Sequence, residues 1–152
     1  DPCRACKRGF PAGERKSIIE EKRKDRFIMK VVSTSNAPAA IGPYSQAIEV
    51  NGFVFASGQI PIDPATGEFV EGGIKEQTRQ ALTNAAHIMA EAGIDLSHVV
   101  KTTVFLADMA DFAAMNEVYS TFFKEPFPAR SAVAVKALPK GALVEVECVG
   151  AK

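Results

Sequence analysis

The 152-residue sequence lacks an excess of either charge: 18 Lys and Arg face 18 Asp and Glu. The chain as a whole therefore has no electrostatic bias toward nucleic acid or an anionic membrane surface. It also lacks any apolar run near the roughly 20 residues needed to span a bilayer. Cysteine is scarce, at three residues. Cys3 and Cys6 form a C-x-x-C, but a structural zinc site usually takes four ligands and no second pair is present. No βαβ pattern surrounds the motif, as a thioredoxin-like site requires. The pair is read as two exposed thiols, and the sparse cysteine implies a reducing, cytoplasmic setting. His87 and His98 have no Cys or His at metal spacing and are read as structural or exposed. G-x-S-x-G is absent, so Ser57 in "ASGQ" is not a nucleophile elbow. P-loop, G-x-G-x-x-G and RNP-type signatures are absent too.

What is present fits one compact domain. Hydrophobic residues make up 47% and charged residues 24%, close to the globular average. The length suffices for a real core without metal or disulfide help. The balanced charge conceals a split. Residues 1–28 hold nine Lys and Arg against five Asp and Glu, a net of +4, which leaves −4 on residues 29–152. The first segment is poor in apolar periodicity and has no apolar h-region of a secretory signal. The expected division is an N-terminal extension over 1–28, disordered or non-native, and a domain over 29–152 that begins at "MKVVSTS". Organellar targeting by the extension is left open, although the acidic residues of "IIEEKRKD" argue against a typical transit peptide.

From Met29 the pattern predicts strands and two helices. "KVVS" opens as a short strand, and "APAAIGPYS" reads as a loop punctuated by Pro38, Gly42 and Pro43. "QAIEV" and "FVFASG" flank Asn51-Gly52, the strongest two-residue hairpin signal. "IKEQTRQALTNAAHIMAEAG" places Ala81, Leu82, Ala85, Ile88, Met89 and Ala92 on one helix face, with Gly93 as its stop. "VVKTTVFLA" is a strand, "MADFAAMNEVYSTFF" a second helix, and "SAVAVKAL" and "ALVEVECVG" the closing strands. The order is β, hairpin, α, β, α, β, β. It predicts an α+β fold with both helices on one face of the sheet. In "LVEVECV" the alternation puts Val144, Val146 and Cys148 toward the helices. Glu145, Glu147 and Val149 face the other way. Ala56, Ala132 and Ala134 are expected on that second face, making a small-residue surface suited to a subunit interface.

Four side chains draw attention as chemistry. Arg130 stands where the proline-stiffened loop "EPFPARS" becomes a strand, and its planar fork matches a carboxylate bidentately. Glu145 and Glu147 lie on a partly covered face, where a carboxyl gains a raised pKa and can shuttle protons. Tyr44 sits among turn residues in "IGPYSQ". Asn116 falls in the second helix. Position alone allows each an ordinary structural role as well.

Five blocks, "APAAIGPYSQA", "FVFASGQIPIDPATGE", "VVKTTVFLADMADFAAMNEVY", "FPARSAVAV" and "LPKGALVEVECV", occur in the order seen in the RidA/YjgF family, which the chain resembles from about Met29 to its end. The resemblance implies a chorismate-mutase-like α+β fold trimerising around a central β-barrel, with sites in the clefts between subunits. It implies hydrolytic deamination of reactive 2-imino acids to 2-keto acids and ammonia, with no metal or organic cofactor. By resemblance Arg130 clamps the substrate carboxylate and Glu145 positions or activates water. Tyr44, Gly58 and Asn116 line the cleft. Many bacterial members carry cysteine two residues after the arginine, where this chain has Ala132. Two other readings remain beside it: an endoribonuclease or translation inhibitor, and a ligand-binding trimer without turnover. The net negative charge of the body argues against nucleic acid as a partner.

Overall fold

A computed structural model describes residues 27–152. The expectations placed on residues 1–26, including Cys3 and Cys6, lie outside the described residues. Six strands form one sheet: β1 (Lys30–Val32), β2 (Ala47–Val50), β3 (Phe53–Gln59), β4 (Val99–Leu106), β5 (Ala129–Ala134) and β6 (Val144–Ala151). Two helices, α1 (Ile74–Glu91) and α2 (Phe112–Phe122), cover one of its faces. The strand order is β1-β2-β3-β6-β4-β5. Every pairing is antiparallel except β4 with β5, which is parallel. The predicted element order and the mixed α+β class are both observed.

Local chemistry explains the boundaries. Asn51 (φ 50°) and Gly52 (φ 78°) both take positive φ in the β2–β3 turn, the conformation a tight two-residue hairpin needs. Glu76 accepts from the Gly73 amide at 2.9 Å, satisfying one donor at the start of α1. At the other end Ile94 N–H donates to Met89 O and Gly93 N–H to Ala90 O. Gly93 has φ +84°. This paired closure is a Schellman motif, which favours glycine at that position. Helix α2 starts at Phe112 because Met109–Asp111 forms a separate 3-10 turn, with Asp108 accepting from Ala110 N–H.

The core lies between the sheet and the helices. Val54, Val104, Leu106, Val144 and Val146 from the sheet meet Leu82, Ile88, Met89 and Met115 from the helices, all fully buried. Burying side chains of this size contributes about 1.5–3 kcal/mol each, before conformational entropy is set against it.

The face assignment differs from the expectation at three alanines. Ala56 pairs with Cys148 and Ala132 with Val104, so both share the helix-covered side with those buried partners; Ala134, opposite buried Leu106, has the same parity. The open face instead carries Val31, Phe53, Phe55 and Val133, each 45–58% exposed. Phe53 and Phe55 lie side by side there, ring centroids 6.2 Å apart. The cause is register. Apolar residues occupy both parities of these strands, and the few polar ones, such as Arg130 and Ser131 of β5, fall on opposite faces, so the local pattern does not mark which set points outward. Strand β5 also begins two residues earlier than expected, at Ala129, and thus includes Arg130.

Candidate functional site

The first cluster forms where β5 passes beside α2. Arg130 pairs across the ladder with Thr102 of β4, and its side chain lies on the helix side. Its Nη1 donates to Asn116 Oδ1 at 2.7 Å. Its Cζ sits 4.6 Å from the Tyr119 ring centroid and 5.5 Å from that of Phe112. Tyr119 OH and Thr102 Oγ1 are 2.7 Å apart, and both residues are buried. Burial pushes the Tyr119 phenol upward, against the opposing pull of the Thr102 hydrogen bond and the Arg130 charge. The ring therefore stays neutral and offers an electron-rich face to the cation. Arg130, Asn116, Phe127 and Pro128 line a cavity of about 450 Å³.

The second cluster forms around Glu145. Strand β3 carries a bulge: between the Ala56–Cys148 and Gln59–Val146 pairs, Ser57 and Gly58 stand opposite Glu147 alone. The bulge brings the Gly58 backbone under the Glu145 side chain. A Cβ on Gly58 would fall 2.8 Å from Glu145 Cδ and closer still to Oε1. Only glycine leaves the carboxyl its place. Burial, and then the neighbouring Glu147 charge, hold the Glu145 carboxyl above its ordinary value. Tyr44, Gly58, Ile60, Lys140 and Glu145 line a cavity of about 600 Å³.

One buried amide organises that cavity's wall. Gln46 Oε1 accepts from Thr34 N–H at 2.7 Å, and its Nε2 donates to Thr34 O at 3.0 Å and Pro38 O at 2.8 Å. These bonds tie the loop before Tyr44 to β2. Ser57 adds a second tie, donating through Oγ to Ser45 O at 2.7 Å. On the far side Asn84 of α1, fully buried, donates to Ile62 O at 2.9 Å.

Of the residues singled out in the sequence, Asn116 and Arg130 come together, and Tyr44, Gly58 and Glu145 come together. The two groups are not joined within one chain. Arg130 projects from the helix-covered face, whereas Glu145, between fully buried Val144 and Val146, projects from the other. Sequence reasoning missed Tyr119, Thr102 and Gln46. A signal for Tyr119 was available: Phe112, Asn116 and Tyr119 recur at helix spacing, so the polar Asn116 shares a face with two aromatics. Glu147 remains exposed. His87 Nδ1 lies 2.7 Å from Asn36 O and His98 Nδ1 2.8 Å from Ala151 O, so both bridge to backbone. Among the described residues no three His, Cys, Asp or Glu side chains converge as metal ligands. None of the described helices is long and apolar enough to cross a membrane.

The sequence model of the endoribonuclease L-PSP family matches residues 34–152. The chain belongs to that family. It is 52% identical over 123 residues to the 2-iminobutanoate/2-iminopropanoate deaminase of Mus musculus, covering 81% of this chain and 91% of that protein. A Rid-family protein of Yersinia pestis superposes with a TM-score of 0.80 at 50% identity, covering 82% of this chain and 100% of the other. The YjgF protein of E. coli superposes with a TM-score of 0.77 at 44% identity, covering 81% of this chain and 98% of the other. The RidA/YjgF resemblance read from the five sequence blocks is thereby established as family and fold.

Proposed function

We propose that the protein hydrolyses small 2-imino acids, such as 2-iminopropanoate and 2-iminobutanoate, to 2-keto acids and ammonia. The observation that carries this reading is the guanidinium of Arg130, already held in one pose by Asn116 and Tyr119; the Glu145 carboxyl, held above its ordinary value on the other sheet face, supports it. Arg130 has one N–H engaged by Asn116 and a π face against Tyr119, which leaves further N–H groups for a substrate carboxylate. Held by that fork, the substrate presents C2 in one orientation. A protonated imine is already electrophilic. Water adds to C2 while Glu145 takes one of its protons. The Glu145 carboxyl then delivers that proton to the amino nitrogen. The C–N bond breaks, ammonia leaves, and the remaining hydroxyl loses its proton to give the keto acid. A carboxyl held above its ordinary value works in both directions of this relay.

The two clusters meet, in this reading, between copies of the chain in a homotrimer, with Arg130 from one copy and Tyr44, Gly58 and Glu145 from the next. The open sheet face with its exposed phenylalanines supports such an assembly. Generating 2-aminoacrylate with a serine dehydratase and following pyruvate formation tests the activity. Equal rates with and without the protein would sink it. Mixing Arg130→Lys and Glu145→Gln chains after co-refolding tests the composite site. Random assembly regenerates about a quarter of intact sites if each site draws on two copies, and none if each draws on one. RNA cleavage, the activity in the matching family's name, is the second reading; the net charge of −4 on residues 29–152 disfavours it. Digestion of a single-stranded RNA by the same preparation would reverse the order.

A further inference from the structure

We infer that Tyr119, pinned by Thr102, sets the plane of the Arg130 guanidinium and is the positioning residue of the carboxylate clamp; this rests on the deaminase reading above. Two contacts make Tyr119 a fixed platform. Its hydroxyl meets Thr102 Oγ1 at 2.7 Å. Thr102 is fully buried and is itself the ladder partner of Arg130. The ring packs on Phe123, with centroids 4.6 Å apart and an interplanar angle of 33°. Hydroxyl and ring are thus held at two points, one on β4 and one past the end of α2. The Arg130 Cζ lies 4.6 Å from the centroid of this ring.

Two constraints then define the fork. The aromatic face sets the tilt of the guanidinium plane, and the Asn116 acceptor at 2.7 Å sets its rotation within that plane. Bidentate binding of a carboxylate needs both, because two parallel N–H bonds form only when the two planes coincide. Arginine side chains carry large rotamer entropy. A ring that holds the plane before substrate arrives removes that cost from binding. Burial keeps the phenol protonated, so Tyr119 acts on the cation through its ring and uses its hydroxyl on Thr102. The arrangement also explains why a tyrosine, and not a second phenylalanine, occupies the site: the hydroxyl anchors a ring that must not tip.

The test is a double-mutant cycle on the full chain, with 2-iminopropanoate generated in place and keto acid followed. Tyr119→Leu should lower kcat/KM about tenfold, the scale of a partly desolvated cation–π contact. In an Arg130→Lys background the same change should cost less than about twofold, because nothing planar remains to be positioned. Equal losses in both backgrounds, or no loss in the first, would overturn the inference. The pair Tyr119→Phe with Thr102→Val removes both partners of one buried hydrogen bond and so spares the fold. It should lower kcat/KM about threefold with an unchanged melting temperature, and full activity would count against the pin. An independent readout is the nitrogen-15 spectrum of the Arg130 guanidinium, assigned by its loss in Arg130→Lys. Separate Nη signals in the wild type should merge in Tyr119→Leu and in the Phe/Val pair as rotation is freed. Unchanged signals would overturn the positioning role, even if a wild type without turnover had already removed the deaminase reading.

Discussion

Arg130 is held on several sides, by Asn116, Tyr119 and Phe112, whereas the Glu145 carboxyl accepts no hydrogen bond from the described residues and lies over bare glycine backbone. The contrast follows from what each group must do. A guanidinium is charged at every relevant pH and weakly hydrated, so the fold can lay it on aromatic faces and fix its geometry at little cost. A carboxyl that exchanges protons must keep its two states close in energy. Firm donors would lock it ionised; within the chain, burial and Glu147 raise its pKa. One cluster supplies orientation and the other a movable proton.

Variants sharpen that contrast. Glu145→Gln is expected to have the largest effect, lowering kcat about 1,000-fold, within the range for loss of a general acid–base group, with 2-oxobutanoate binding by calorimetry retained. Loss of binding in step with turnover would move Glu145 from proton transfer to substrate holding. Arg130→Lys keeps the charge and loses the fork. A loss of about 2–3 kcal/mol, typical of charge-assisted contacts, lowers kcat/KM roughly 30- to 160-fold. A wild-type value would sink the clamp. Gly58→Ala pushes a methyl into the Glu145 carboxyl and should cost about tenfold in rate by displacing it; kinetics beside thermal melts separate displacement from unfolding.

The proton-holding cluster also predicts a pH signature. Glu145 holds its proton more tightly in the folded state than unfolded. Its contribution to stability is therefore favourable at low pH and is lost as pH rises through the folded value. Glu145→Gln should accordingly melt higher than the wild type at neutral pH, and the gap should close below the ordinary glutamate value of 4.5. A gap that widens in acid would reverse the sign. Turnover should run the other way, falling in acid as the base protonates. The smallest effect is expected at the N-terminus: a chain starting at Met29 should keep the melting temperature and turnover of the full chain, and a loss of either would move the domain boundary.

Residues of both clusters were legible in the sequence, but not the contacts that join them. "FPARS" and Asn116 marked the arginine cluster, but the helix reading of "MADFAAMNEVYSTFF" did not mark Tyr119, because helix periodicity reports burial and not what is buried against it. Gly58 and Glu145, some ninety positions apart, met only through the five-block resemblance. The bulge that joins them depends on β3–β6 pairing, which local patterns do not encode. The alanines went to the wrong face for a related reason. "FVFASG" and "SAVAV" carry apolar residues at both parities and a single serine each, too weak a marker for period-2 reasoning, whereas "VEVEC" had two glutamates and was oriented correctly.

The sequence by itself determined the elements and their ends. Asn51-Gly52 can turn a hairpin where bulkier residues cannot, Gly93 can end α1 in a left-handed step, and the apolar stripes of both helices require a sheet to cover. These are short-range consequences of backbone sterics and side-chain spacing. Only the tertiary structure decided which sheet face stays open, that Arg130 rests on Tyr119, and that Glu145 sits over Gly58 on the opposite side. Each depends on pairing register between distant strands, where shifting by one residue exchanges the faces. That choice is made by how the whole core packs.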